Sequence, residues 1–188
     1  MSNQFGEAQA YAEMTLFTRV VRYSVSNDMF GTARNALDQW QSCLQGEVVF
    51  VESPANQADL QIVFRPTTRF NGRDVMGLAT TRRSVKAWYG DEFTYRVTGS
   101  IEIATYTPDG KFASLETMTN TTLHEVGHFL GLDDSRGKGF VMGPINPRRP
   151  VTFPDPAEVQ CLIDLREMTD LLLRQATAES SSSRSMGR

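Results

Sequence analysis

The chain contains two histidines, and both fall in one undecapeptide, His124-Glu125-Val126-Gly127-His128-Phe129-Leu130-Gly131-Leu132-Asp133-Asp134. This segment limits the fold more than any other, because it reads as the end of a core helix and the turn that leaves it. Leu115, Met118, Leu123, Val126, Phe129 and Leu130 recur at helical steps, the stripe that a helix needs to sit on a core. Gly131 is a natural stop, since glycine enters the left-handed cap conformation cheaply. A four-residue step places His124 and His128 about 40° apart around the axis and about 6 Å along it. Two imidazoles on one face can share one cation. Glu125 points about 100° further round, close enough to touch a water there without taking a ligand position. Beyond Gly131 the chain can swing back, which lets Asp134 supply a third ligand; Asp133 is the alternative.

Two neutral imidazoles and one carboxylate leave a fourth position open, the donor set of a catalytic rather than a structural zinc site. The same set serves non-haem iron(II) oxygenases, but that reading gives no work to Glu125 or to the helical spacing. A binding module with a structural metal or lost chemistry is a third reading, and the presence of Glu125 argues against lost chemistry. The plain alternative is a core helix with two hydrogen-bonded histidines, followed by a loop cap and a solvated charge at Asp133 and Asp134.

The remainder of the chain must supply the sheet under this helix. Its 188 residues suit one domain, and 40% hydrophobic with 22% charged residues is ordinary for a globular protein. A net charge of −3 excludes a strongly basic nucleic-acid binder, and no apolar run approaches the roughly 20 residues of a membrane span. Residues 16–25 (LFTRVVRYSV), 47–52 (EVVFVE), 60–65 (LQIVFR) and 99–105 (GSIEIAT) read as strands. Residues 78–81 form a short one, 66–77 (PTTRFNGRDVMG) a loop, and 82–95 carry no clear pattern. A helix follows Asn27 or Asp28 as N-cap, with Phe30, Ala33, Leu37, Trp40 and Leu44 as its stripe and Gly46 at its end. Asp155-Pro156, with Glu158 behind them, signal a last helix, whose apolar face holds Val159, Leu162, Ile163 and Leu172. The strand–helix–strand–strand order points to an α/β or α+β sheet. Residues 1–14 are expected to be a flexible segment, 15–175 the folded body and 176–188 (ATAESSSSRSMGR) a disordered tail. Cys43 and Cys161 read as two buried thiols rather than a bridge.

HEVGHFLGLDD resembles the zinc motif of metzincin metallopeptidases, in the variant with aspartate as third ligand that snapalysin-type bacterial enzymes carry. Its surroundings resemble a minimal matrixin catalytic domain. Ser135 follows the third ligand, and Met142 in Phe140-Val141-Met142-Gly143-Pro144 stands eight positions beyond Asp134, as in the matrixin Met-turn. Residues 58–64 (ADLQIVF) resemble the third strand, and the helix with Ala36 and Trp40 the first helix. Met76-Gly77-Leu78-Ala79-Thr80 is similar to the edge strand that binds extended peptide, and residues 155–165 to the closing helix. The likeness spans residues 16–165.

This resemblance implies an α+β domain over residues 15–175: a mixed twisted sheet of about five strands, two long helices with one carrying the zinc motif, a Met-turn and a C-terminal helix. It implies a zinc endopeptidase in which His124, His128 and Asp134 hold one catalytic zinc and Glu125 is general base to a metal-activated water. Leu78 and Ala79 would hold the substrate backbone, Pro144 would shape the pocket after the cleaved bond, and Met142 would be a packed floor beneath the metal. The partner is a peptide or protein, with no nucleic acid and no membrane span, and a monomer is expected. No histidine is left for a second zinc, and residues 66–76 are basic and poor in carboxylates, so neither structural zinc nor calcium is expected. Neither cysteine has the context of a zinc-blocking propeptide thiol. Relatives are commonly secreted, whereas the opening MSNQFGEAQAYAEM has no basic and apolar regions of a secretory signal; a cytoplasmic or leaderless chain fits that segment equally.

Overall fold

Strict alternation makes residues 60–65 the centre of the sheet: Leu60, Ile62 and Phe64 are buried while Gln61 and Arg65 face solvent. The computed structural model describes residues 18–26, 29–87 and 93–185. In it this strand, β3 (Leu60–Arg65), lies beside β1 (Val20–Ser26) on one side and β7 (Phe93–Ala104) on the other, both parallel to it. Outside β1 is β2 (Val49–Glu52), also parallel, and outside β7 is β6 (Gly77–Ala87), which is antiparallel. The order β2-β1-β3-β7-β6 leaves β6 at an edge of this five-stranded mixed sheet. A separate hairpin pairs β4 (Thr68–Phe70) with β5 (Arg73–Val75).

Two helices cover one face. The stripe Ala33, Ala36, Leu37 and Trp40 buries α1 (Phe30–Cys43), and the indole N–H of Trp40 donates to the Leu123 carbonyl at 2.9 Å. That carbonyl belongs to α2 (Leu115–Leu130), so one hydrogen bond in the core ties the two helices. Phe129 of α2 presses so closely on the sheet that a Cβ on Gly99 would stand 3.1 Å from its ring. The Ser114 side chain caps α2 by accepting from Thr117 N–H, and Gly131 ends it at φ 110°. The last helix, α3 (Pro156–Ser185), starts from the expected capping box, since Asp155 N–H donates to Glu158 and Ala157 N–H donates to Asp155. No helix among the described residues is long and apolar enough to cross a membrane.

The α+β architecture agrees with the sequence, but several elements differ. The first strand begins at Val20 and leaves out residues 18 and 19, while residues 16 and 17 lie outside the described residues. Helix α1 has Met29 at its N-cap position with no side-chain cap; Asn27 and Asp28 lie outside the described residues. The stretch read as a loop, 66–77, contains β4 and β5, because Asn71 and Gly72 both take positive φ (50° and 76°) and close a two-residue turn. The short strand at 78–81 extends into the unassigned 82–95: β6 pairs with β7 from Gly77↔Ile103 to Ala87↔Phe93, and residues 88–92 lie outside the described residues. Helix α3 continues through Ser185 where a disordered tail was expected; no glycine or proline occurs between Pro156 and Gly187 to stop it. Both cysteines are free, and Cys161 is exposed rather than buried.

Candidate functional site

Helix α2 places His124 and His128 one turn apart, and the chain beyond each ring fixes its orientation. His124 Nδ1 lies 2.8 Å from the Val141 carbonyl and His128 Nδ1 lies 2.8 Å from the Leu132 carbonyl. A carbonyl only accepts, so each Nδ1 carries a proton and Nε2 is the ring atom left to offer a lone pair to a cation. Burial lowers the His124 pKa, opposed by the Val141 hydrogen bond, which favours the neutral ring. The two Nε2 atoms are 3.1 Å apart, and Asp134 Oδ1 is 3.2 Å from one and 3.4 Å from the other.

Three lone-pair atoms that face one point repel one another unless a cation lies between them. A tetrahedral zinc with bonds of about 2.0–2.1 Å has ligand–ligand edges of about 3.3–3.4 Å. The donor triangle has that size. His124, His128 and Asp134 therefore fit a zinc ion, and among the described residues they form one potential metal-holding group. Asp133 is exposed and stands outside it.

Glu125 is 5% exposed and turned toward the sheet, where the backbone N–H of Ala79 donates to its carboxylate. Burial pushes its pKa up to about 7, with the Ala79 hydrogen bond acting downward and the Asp134 charge upward. Room for this carboxylate exists because residue 77 is glycine: a Cβ there would lie 2.4 Å from Glu125 Oε1 and 2.7 Å from Thr121 Cγ2. Beneath the helix, Met142 is 2% exposed. Its Sδ would be 2.2 Å from a Cβ on Gly127, so the glycine between the histidines is what admits the methionine.

Glu158 binds this floor. Its buried carboxylate accepts from Met142 N–H at 2.7 Å and Val141 N–H at 3.2 Å, besides capping α3. The Val141 carbonyl in turn orients His124, and Ser135 N–H donates to the Met142 carbonyl at 2.7 Å. One carboxylate thus fixes the segment on which the His124 ring and the loop after Asp134 both rest.

The donor cluster opens into a cleft of about 1050 Å³, with Leu78 and Ala79 of β6, Glu125 and Met142 in its wall. Pro144 is exposed and is not among the cleft-lining residues. Gly77, Glu158 and Arg83, which also lines the cleft, were not singled out as site residues from sequence. Glu158 had a signal, its place in the capping box, but nothing in the sequence shows that its carboxylate has a second duty. The glycine and the arginine stand in a strand whose contacts on α2 lie 44 to 48 positions further on.

No curated protein matches the chain. The family model described as Matrixin matches residues 13–156, from before β1 through the donor cluster to the first residue of α3. With most of its length covered by that match, the chain belongs to the matrixin family of metallopeptidases.

Proposed function

We propose that the chain is a zinc-dependent endopeptidase in which His124, His128 and Asp134 hold the metal and Glu125 is the general base. The observation that carries this reading is the triangle of facing lone pairs beside a buried carboxylate in an open cleft. When bound, zinc would polarise the scissile carbonyl and make the attacking water more acidic. Glu125 takes the proton of that water and delivers it to the leaving amine. The bond from Ala79 holds the carboxylate at one place, and burial keeps its proton affinity high enough for both transfers. The outer edge of β6 is unpaired in the sheet, so its backbone around Leu78 and Ala79, apart from the Ala79 N–H that serves Glu125, is offered to an extended peptide lying as an added strand. Met142 is the Met-turn residue, a packed floor under the metal.

The test is metal analysis joined to a casein digestion assay. The purified chain is expected to hold one zinc, to digest casein, to stop with a chelator and to resume when zinc is returned. His128→Ala should lose both metal and digestion. Iron in place of zinc, two zincs per chain, or undiminished zinc in the variant would count against the proposal.

Gly77→Ala gives an independent check on the base. The added methyl overlaps the Glu125 carboxylate, and displacing a reacting group by about 1 Å can cost about 10²-fold. Digestion should therefore fall by ~10–10²-fold with zinc content unchanged. Activity within twofold of the parent would show that Glu125 need not sit where Gly77 admits it.

A further inference from the structure

Arg83 is a cation in the cleft wall without an anionic partner among the described residues. Strand β6 follows α2 along the cleft: Gly77 lies against Thr121 and Glu125, and six residues later Arg83 reaches the end of the helix. Its Nη2 donates to the Phe129 carbonyl at 2.8 Å and to the His128 carbonyl at 3.2 Å. The Phe129 carbonyl is among those that a helix end leaves open, the His128 carbonyl also accepts from Gly131 N–H, and a cation there meets the negative end of the helix dipole, about half a charge. That accounts for one nitrogen. Nε is buried with no hydrogen-bond partner among the described residues, and no ion pair joins Arg83 to a described carboxylate. Burial lowers its pKa and no neighbouring charge offsets the shift. Yet the residue lines the same cleft as Glu125 and His128.

We infer that Arg83 recognises an acidic side chain of the bound peptide. A part-buried guanidinium bonded, among the described residues, only to neutral carbonyls gains most from a carboxylate, which accepts charge-assisted bonds from its remaining N–H groups. Along β6, Arg83 is four residues from Ala79, about 13 Å at the rise of a strand. A peptide laid on this edge with its scissile bond beside Glu125 brings an Asp or Glu to Arg83 three or four residues from that bond. The inference deepens the proposed peptidase reading and rests on it.

The experiment is digestion of an end-blocked peptide library by the zinc-loaded full chain. Asp and Glu are expected at least fivefold over-represented at one position three or four residues from the cut. In the best peptide, Glu→Gln should weaken binding to the Glu125→Ala protein about tenfold, the scale of one charge-assisted hydrogen-bond pair. Arg83→Met should erase that difference and Arg83→Lys should restore part of it. Cleavage with no acidic preference, together with equal binding of the Glu and Gln peptides, overturns the inference and leaves the peptidase reading standing; the peptide substitution decides this even if the Arg83 variants fold poorly. A zinc-loaded chain that cleaves no peptide overturns both.

Discussion

Glu125→Gln is expected to keep one zinc per chain and to lose peptide cleavage by about 10²–10⁴-fold, the usual worth of a general base. The expectation follows from where the carboxylate stands. It is next to His124 in sequence but outside the donor triangle in space, so its removal withdraws no ligand. Its one backbone contact, the Ala79 N–H, is equally served by the amide oxygen of glutamine. The variant therefore preserves shape and hydrogen bond and removes only the capacity to take a proton. Glu125→Ala should fall as far, although it also empties a buried space. Near-normal turnover in the zinc-loaded glutamine variant would end the mechanism, because nothing else about the site would have changed.

The second large effect belongs to Asp134. Its side chain is 79% exposed, against 10% and 27% for the two histidines it faces, so of the three proposed ligands it is the least held by packing. Asp134→Ala removes a third of the donor set and leaves two imidazoles, which should lower zinc retention through dialysis severely and abolish cleavage with it. Asp133→Ala should leave both intact, since Asp133 stands outside the cluster. Asp134→His should retain metal, as a histidine supplies a lone pair in place of the carboxylate. Metal content after dialysis reads all three variants without reference to any substrate. Zinc lost from Asp133→Ala and kept by Asp134→Ala would move the third ligand by one residue.

The grouping of His124, His128 and Asp134 was legible because local rules suffice for it. Helical spacing brings His124 and His128 together, and a glycine stop returns Asp134 to them, all within eleven residues. The central strands were legible for a similar reason: burial on a sheet face forces alternation, as in Leu60, Ile62 and Phe64. The long β6–β7 pairing was not, because residues 82–95 mix charged and apolar residues with no period that marks a strand. The Asn71-Gly72 turn was present in the sequence but was read as loop composition rather than as a hairpin closure. Gly77 and Arg83 act on α2 across a sequence gap that no local pattern spans. Their duties are set by contact, and contact is what folding adds.

Glu158 gives the site an order in time. As the chain is synthesised, both histidines and Asp134 emerge before the carboxylate that fastens Val141 and Met142. Until residue 158 is made and the first turn of α3 docks, the segment whose carbonyl aims His124 lacks its carboxylate anchor. The ordering of the His124 ring is thus expected to wait on a residue made after all three grouped donors, and a cut within the first turn of α3 is expected to loosen it.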